Sequence, residues 1–170
     1  MRTIDEQGYH FEEWLTPKQI AADVQQVADK ISADYAGKEP LFIVVLNGAF
    51  VFASDLIRGL KDIRCEITFI RVSSYYGMAS TGQLEFIVPL QQVVDQRDVI
   101  IVEDIVDTGL TIHQLKAHLR GLGASSVRVA SMLFKPNKLE YDDAKPDYVG
   151  HESTDEFVIG YGLDFDGFVR

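Results

Sequence analysis

The chain has 170 residues, 46% of them hydrophobic, which is typical of one globular domain, so we expect residues 1–170 to form a single domain. Its net charge of −10 argues against a broad nucleic-acid-binding surface, and no apolar run is long enough to span a membrane. The N-terminus lacks an apolar signal core and the single cysteine, Cys65, cannot form an internal disulfide, so we expect a cytoplasmic protein without membrane or nucleic-acid partners.

Hydrophobic periodicity predicts alternating strands and helices after an N-terminal segment, residues 1–15, that packs on the domain. Thr16 and Pro17 should open a helix that ends near Tyr35, because threonine caps helices and proline suits their first turn. The other predicted elements are strands at 41–46, 65–72, 84–88, 99–102, 127–134, 148–150 and 157–160, and helices at about 49–60 and 112–122. This order predicts an α/β fold with a mostly parallel, twisted sheet flanked by helices.

Several connections between these elements have more than one interpretation. Asn47 and Gly48 follow a buried strand, and this turn could bind an anion through backbone N–H groups or be a plain strand-to-helix turn. Residues 73–83 are small, polar and glycine-bearing, so they form either a functional lid or a hairpin loop without a role. Residues 138–145 are expected to be a charged loop, and the histidines at 113 and 118 surface residues.

The stretch from residue 99 to residue 111 is the first place to look for chemistry. Residues 99–102 are β-branched and apolar, which suits a strand buried on both faces, and ligands of open α/β sheets gather where such strands end. Glu103 and Asp104, the acid pair, come directly after this run. Carboxylates at that place suit sugar hydroxyls or hydrated Mg²⁺, although a solvent-exposed strand end is the alternative.

Residues 107–111 predict a cup for a phosphate monoester. Gly109 allows close backbone approach, backbone N–H groups would point into the turn, and Thr108 and Thr111 add hydroxyl donors. The segment lacks the lysine of a Walker P-loop, so it should hold a phosphate without transferring it. Together with the acid pair, this pattern predicts a ribose 5-phosphate site.

Residues 103–111 resemble the phosphoribosyl pyrophosphate (PRPP) motif of the type I phosphoribosyltransferases. The resemblance lies in the order of two acids, two further residues and Asp-Thr-Gly-x-Thr after an apolar strand. Roughly residues 40–170 are similar, in the same order, to the hypoxanthine-guanine branch of this family. The resemblance implies a type I phosphoribosyltransferase core with a small hood made by the N- and C-terminal segments.

The resemblance also implies a purine salvage activity. The 5-phosphoribosyl group would pass from PRPP to hypoxanthine, and to guanine, giving IMP or GMP and pyrophosphate. Mg²⁺ would be the cofactor, with Asp164, Glu103 and Asp104 as its candidate ligands. A homo-oligomer, either a dimer or a tetramer, is typical of the family.

The ribose and phosphate roles implied by the resemblance fall on the motif itself. Asp107 would be the general base that exchanges a proton with purine N7. The ribose 5-phosphate part of PRPP would be bound by Glu103, Asp104, Thr108, Gly109, Leu110 and Thr111. Pyrophosphate would be bound by Asn47, Gly48 and Arg170, although the family usually carries lysine or arginine where this chain has Asn47.

The base and lid roles fall outside the motif. Ser74 and Tyr75 would belong to the flexible loop that closes over the site and excludes water. Lys135 would donate to the 6-oxo group of the purine, Phe157 would stack on its ring, and the Val158 backbone would read its edge. Taken alone, Phe157 could be a core aromatic and Lys135 an exposed strand end.

Two other functions fit the same fold. A regulator that binds PRPP and a nucleic acid is opposed by the net charge of −10 and by the intact Asp107. The other is a phosphoribosyltransferase for another base, such as adenine, xanthine or uracil; against it, Lys135 and the Phe157-Val158 segment favour a 6-oxopurine, which leaves xanthine open. The sequence leaves the preference between hypoxanthine and guanine open, because backbone groups would read position 2 of the base.

Overall fold

A computed structural model describes residues 3–74 and 84–168, excluding the side chains of Ser73, Ser74 and Leu84. The elements are β1 (Thr3–Glu6), β2 (Tyr9–Glu12), α1 (Pro17–Asp34), β3 (Leu41–Leu46), α2 (Phe50–Gly59), β4 (Glu66–Ser74), β5 (Leu84–Val88), β6 (Asp98–Val106), α3 (Leu110–Gly121), β7 (Ser126–Phe134) and β8 (Tyr148–Glu152), with single 3₁₀ turns at Pro136–Lys138 and Asp142–Ala144. The predicted α/β alternation is therefore confirmed.

Six strands form one sheet in the order β5-β4-β3-β6-β7-β8, and β1 and β2 form a separate hairpin. Strands β4, β3, β6, β7 and β8 pair in parallel, whereas β5 runs antiparallel at the edge. The chain builds outward from β3 to β4 on one side and from β6 to β8 on the other. The strand order thus reverses between β3 and β6, which is the place where open α/β sheets bind ligands.

The two faces of the sheet bury different helices. Helices α1 and α2 pack on one face against a cluster that includes Phe42 and Val102, and α3 packs on the other face against a cluster that includes Ile43 and Ile101. Residues 99–102 are fully buried, which confirms the prediction of a strand covered on both faces. This burial fixes the end of β6, where the acid pair begins.

Helix α1 forms where the sequence predicted it. Thr16 Oγ1 accepts a hydrogen bond of 3.3 Å from the N–H of Gln19, and Gln19 Oε1 accepts one of 3.0 Å from the N–H of Thr16. This capping box and Pro17 define the start of the helix. Among the described residues, no helix has the length and apolarity needed to cross a membrane.

The strand predicted at 157–160 is wrong. The structure shows no strand there, and the apolar side chains make contacts instead of a backbone ladder: the Phe157 ring lies 6.4 Å from that of Phe11 and 5.8 Å from that of Phe165. A tight turn follows, in which Gly160 and Leu163 exchange backbone hydrogen bonds. Residues 3–12 and 157–168 thus form the predicted hood from both ends of the chain.

Candidate active site

The loops after β3 and β6 meet at the reversal of strand order. A Cβ atom on Gly48 would overlap the carboxylate of Asp104, so only glycine lets this turn lie against the acid pair. Asn47 is exposed beside it, and the Leu46–Asn47 peptide bond is cis. The structure therefore brings the turn predicted to bind pyrophosphate next to the carboxylates predicted to bind ribose and metal.

The acid pair is buried on one side. Glu103 is 8% exposed, and its Oε1 accepts a 3.2 Å hydrogen bond from the N–H of Asp104. Asp104 Oδ1 accepts a 2.7 Å bond from the N–H of Ile105. Burial, followed by the nearby Asp104 carboxylate, raises the pKa of Glu103 well above its usual range. Hydroxyl donors or a divalent cation would offset the repulsion between two carboxylates held this close.

A cavity of about 250 Å³ lies over the phosphate cup, which we define as residues 108–111. It is lined by residues 103–112 together with Val45 and Val72. Gly109 has φ +85° at the N-cap of α3 and offers no side chain to cap this helix. Leu110 N–H makes only a 3.4 Å bond to Thr108 Oγ1, so within the described part of the chain the N–H groups of the first turn are available to a phosphate.

The segment from residue 139 to residue 147, which we call the buttress, backs the cup. Glu140 N–H donates a 2.9 Å hydrogen bond to the carbonyl of Thr108. A Cβ on Gly109 would lie 2.7 Å from Ala144 Cβ and 2.9 Å from Leu139 Cδ1. The sequence predicted only a charged loop here; the structure shows the 3₁₀ turn Asp142–Ala144, and Ala144 is fully buried because it packs into the α3 core.

Asp107 has one oxygen paired with cations and one without a partner. Its Oδ2 lies 3.9 Å from the ammonium nitrogen of Lys135 and 3.9 Å from that of Lys138. Its Oδ1 is buried and finds no hydrogen-bond partner among residues 3–74 and 84–168. Lys138 was not predicted as a site residue. Its position one 3₁₀ turn after Lys135 is the feature that could have indicated that it also reaches Asp107. A buried acceptor without a donor indicates a ligand that supplies one.

Lys135 connects Asp107 with Glu156, the residue that precedes the C-terminal part of the hood. The side chain is buried, with the residue 5% exposed, and its ammonium group donates a 2.9 Å hydrogen bond to the carbonyl of Glu156. The alternative interpretation, in which Lys135 is an exposed residue at the end of a strand, is therefore wrong. Phe157 and Val158 line a second cavity of about 680 Å³, and Asp104 lines both cavities. The residues predicted to bind ribose, phosphate and base thus lie in neighbouring spaces.

Asp164 lies in the hood and not with the acid pair. Its Oδ2 accepts a 2.6 Å hydrogen bond from the N–H of Gly167. A Cβ on Gly162 would overlap the carbonyl oxygen of Gly48, so the hood touches the turn after β3. In the described part of the chain, no three His, Cys, Asp or Glu side chains form a metal cluster. Mg²⁺ often needs only one or two carboxylates besides substrate phosphates and water, so the acid pair fits it.

Several predicted site features lie wholly or partly outside the described residues. Tyr75 and Arg170 are outside them, and so is most of the predicted lid at 73–83. Ser74 ends β4, but its side chain is not described.

Comparisons with known proteins agree with this geometry. Residues 11–166 match the Phosphoribosyl transferase domain family. The hypoxanthine-guanine phosphoribosyltransferase of Streptococcus thermophilus is 37% identical over 153 residues, covering 89% of this chain and 84% of the relative. A crystal structure of a Staphylococcus aureus hypoxanthine phosphoribosyltransferase superposes with a TM-score of 0.88 at 36% identity, covering 94% of this chain and 86% of the other.

The Trypanosoma cruzi hypoxanthine phosphoribosyltransferase, solved in complex with its product IMP, superposes with a TM-score of 0.85 at 34% identity. This match covers 92% of the present chain and 88% of the parasite enzyme. The chain belongs to the phosphoribosyltransferases, a family of pentosyl-transferring enzymes, in their hypoxanthine-guanine branch.

Proposed function

We propose that this chain transfers the 5-phosphoribosyl group from PRPP to hypoxanthine, and to guanine, giving IMP or GMP and pyrophosphate in a Mg²⁺-dependent reaction. Residues 1–170 would act as one phosphoribosyltransferase domain. The observation that carries the proposal is the buried Oδ1 of Asp107 beside the phosphate cup, which has no hydrogen-bond partner among the described residues, with Lys135 at the other oxygen. The product IMP bound to the T. cruzi relative supports the choice of hypoxanthine.

PRPP would bind along the end of β6. The 5′-phosphate would accept hydrogen bonds from the N–H groups and hydroxyls of the cup, Thr108, Gly109, Leu110 and Thr111. The carboxylates of Glu103 and Asp104 would accept hydrogen bonds from the ribose hydroxyls. The volume of about 250 Å³ suits a sugar phosphate rather than a whole nucleotide, so the base would extend toward the hood.

The departing pyrophosphate carries the negative charge that the site must stabilise. Backbone N–H groups at Asn47 and Gly48 would donate to it, and the Arg170 guanidinium would add a charge-assisted contact. Glu103 and Asp104 would hold Mg²⁺, and Asp164, which lies in the hood apart from them, stays a predicted third ligand. When bound, the ion would supply further positive charge to the pyrophosphate. Because Asn47 carries no charge, the main-chain contacts at this turn matter more in the present chain.

The base would react on the hood side. Purine N9 attacks C1′ of the ribose as the bond from C1′ to the pyrophosphate oxygen breaks, and the proton on N7 passes to Asp107. Lys135 would donate to the 6-oxo group, which disfavours a 6-amino base. Phe157 would stack on the ring, and the backbone of Val158 would contact its edge.

Two further features belong to the proposal. A lid carrying Ser74 and Tyr75 would close during the reaction, because water could otherwise attack C1′ in place of the purine and hydrolyse PRPP. The enzyme would work in the reducing cytoplasm, which suits the free thiol of Cys65. A homo-oligomer, dimer or tetramer, stays a prediction that light scattering of the purified protein would test.

The direct test is turnover. The protein is incubated with PRPP, with and without Mg²⁺, and with hypoxanthine, guanine, xanthine, adenine or uracil in turn, while nucleotide and pyrophosphate are measured. We expect Mg²⁺-dependent formation of IMP and GMP and little AMP. Absence of turnover with both hypoxanthine and guanine would overturn the proposal, and turnover only with another base would change the substrate.

Asp107 can be tested separately. Asp107→Asn removes the proton acceptor and keeps the size of the side chain, so kcat should fall by about 10²-fold or more while the KM for PRPP changes little. Asp62→Asn is the matched control, because Asp62 is exposed on the loop after α2. An unchanged kcat in Asp107→Asn, or an equal loss in Asp62→Asn, would remove Asp107 from the general-base role.

A further inference from the structure

Three basic side chains form a stripe along one side of α3 and contact the buttress. His113, Lys116 and Arg120 are spaced by three and four residues, which places them on the same helix face. His113 Nδ1 lies 2.7 Å from Asp143 Oδ1, and Arg120 Nη1 lies 3.7 Å from Asp143 Oδ2. Lys116 Nζ donates a 2.7 Å hydrogen bond to the carbonyl of Asp143. The whole stripe therefore converges on one residue of the buttress.

Lys116 is the unusual member of the stripe because it is buried. The residue is 5% exposed, and apart from the Asp143 carbonyl its ammonium group has the Asp147 carboxylate at 4.0 Å. Burial lowers the pKa of Lys116, since a buried charge loses its hydration. An apolar side chain would fill this space without that loss. Burial alone would therefore favour an apolar residue at position 116, and the contacts of the ammonium group are the reason for a lysine there.

The buttress transmits these contacts to the phosphate cup. It has little regular structure, since its own backbone bonds include only those of the 3₁₀ turn, such as the 2.9 Å bond from Ala144 N–H to the Tyr141 carbonyl. It contacts the cup through Glu140 N–H on the Thr108 carbonyl and through Leu139 and Ala144 against Gly109. A 2.9 Å bond from Asp147 N–H to the Val129 carbonyl fixes its other end to β7, so between these anchors the 3₁₀ turn depends on side-chain contacts from α3.

We propose that Lys116 is a positioning residue for the 5′-phosphate. By fixing the carbonyl of Asp143, it keeps Ala144 packed on Gly109 and thereby maintains the shape of the cup. Lys116 does not line the phosphate cavity and so acts on the ligand only through the buttress. The inference rests on the proposed function, since it requires a phosphate monoester as the ligand of residues 108–111.

Lys116→Met tests this role, because methionine fills a similar volume without the donor. We expect the KM for PRPP and the dissociation constant for ribose 5-phosphate to rise about tenfold, as coupled contacts within one network commonly do. The kcat and the KM for hypoxanthine should stay within about twofold, because the base side of the site is held by other contacts.

Arg128→Met is the matched control. Arg128 also carries a cation that links separate elements, although it is half exposed: its Nη1 lies 2.5 Å from Asp34 Oδ2 and 2.6 Å from the Tyr148 hydroxyl. It lies near the start of β7, at the end of the sheet opposite the cup. Both variants should lower the Tm, but only Lys116→Met should weaken ribose 5-phosphate binding. Equal weakening in both would show general destabilisation and overturn the positioning role.

Hydrogen exchange separates this inference from the proposed function. Without substrates, Lys116→Met should exchange faster than wild type at the amides of residues 108–112 and 139–144, and Arg128→Met should not. Unchanged exchange and unchanged ribose 5-phosphate binding would overturn the inference even if the enzyme turns over hypoxanthine. Conversely, absence of turnover in the wild type would overturn the proposed function. Hydrogen exchange and ribose 5-phosphate binding would then still decide whether Lys116 positions the phosphate cup.

A second variant guards against misfolding of Lys116→Met. Arg120 is exposed and touches the same Asp143, so Arg120→Met should fold normally. It should raise the dissociation constant for ribose 5-phosphate in the same direction but by less, about twofold, because an exposed ion pair contributes little. If Arg120→Met folds and lowers that dissociation constant, the link between the stripe and the cup is refuted.

Discussion

The phosphate cup and the hood flank the same candidate active site, but different contacts hold them in place. The cup follows a strand whose residues 99–102 are fully buried, and the buttress packs behind it with a backbone hydrogen bond to Thr108. The hood has a two-stranded hairpin and a loose group of rings, in which Phe157 is 63% exposed. One half is thus fixed by the sheet, whereas the other depends mainly on partly exposed side chains.

This difference has a consequence for the binding of the two substrates. A preformed cup loses little conformational freedom when a phosphate enters, whereas ordering an exposed aromatic ring consumes part of the binding energy of the base. We therefore expect changes in the cup to act on PRPP and changes in the hood to act on the purine. Asp104 lines both cavities, so it is one place where the two halves should be coupled.

The largest effect on this division should come from Gly109→Ala. The φ of +85° is unfavourable for alanine, and its Cβ would lie 2.7 Å from Ala144 Cβ. Strain and overpacking together should lower the free energy of unfolding by about 2–4 kcal/mol and raise the KM for PRPP by on the order of tenfold to a hundredfold. Chemical denaturation and steady-state kinetics would measure the two effects.

Gly121→Ala is the control at the other end of the same helix. A Cβ there meets nothing within 4 Å, so the change should be neutral or stabilise the protein by about 0.5–1 kcal/mol. Its KM for PRPP should equal that of wild type. If Gly109→Ala also left this KM unchanged, the cup would not depend on close packing against the buttress.

Strand β6, which leads to the cup, and the start of α1 were predictable because local sequence signals agree with the tertiary structure there. Residues 99–102 are apolar and β-branched, and they form a strand buried on both faces. The Thr16 capping signal likewise gave the start of α1. In both places the residue types that favour the element also suit its burial, so no long-range contact needed to be known.

The buttress and the hood were not predictable in the same way. Residues 157–160 are apolar enough for a strand, but their partners are aromatic rings from distant parts of the chain, such as Phe11. The burial of Lys116 could not be predicted, because a lysine in an amphipathic helix is usually exposed. Its hydrogen-bond partner, the carbonyl of Asp143, also lies far from it in the sequence. His113 lies at the surface as predicted, with its side chain 42% exposed, but its stacking on Tyr141 at a ring-centroid distance of 4.7 Å was not predictable.

A smaller effect, confined to the hood, is expected for Phe157→Ala. Loss of a stacking ring should raise the KM for hypoxanthine by about tenfold and leave the KM for PRPP unchanged. Phe168→Ala is the matched control, because Phe168 is 64% exposed but does not line the larger cavity. A comparable rise of both KM values in Phe157→Ala would contradict the division between cup and hood.

The smallest effect is expected for Asp34, at the end of the sheet away from the cup and the hood. Its contacts should affect the stability of the fold and not the binding of either substrate. The Tyr148 hydroxyl and then Arg128 lower the pKa of Asp34 from its usual value of 3.8. A carboxylate with a lowered pKa contributes stability that is present above pH 3.8 and is lost as the pH falls through its folded-state pKa. Because this group is largely exposed, that contribution should be at most about 1 kcal/mol.

Asp34→Asn measures this contribution by difference. Denaturation near neutral pH should show the variant slightly less stable than wild type, and the gap should narrow as the pH falls below 3.8 and close once the carboxyl is protonated in both states. Both KM values should stay at wild-type levels, because Asp34 lies at the end of α1, away from the cup and the hood. A gap that persisted in acid would mean that Asp34 stabilises the fold by packing and not by charge, and a changed KM for one substrate only would mean that this end of the sheet supports one half more than the other.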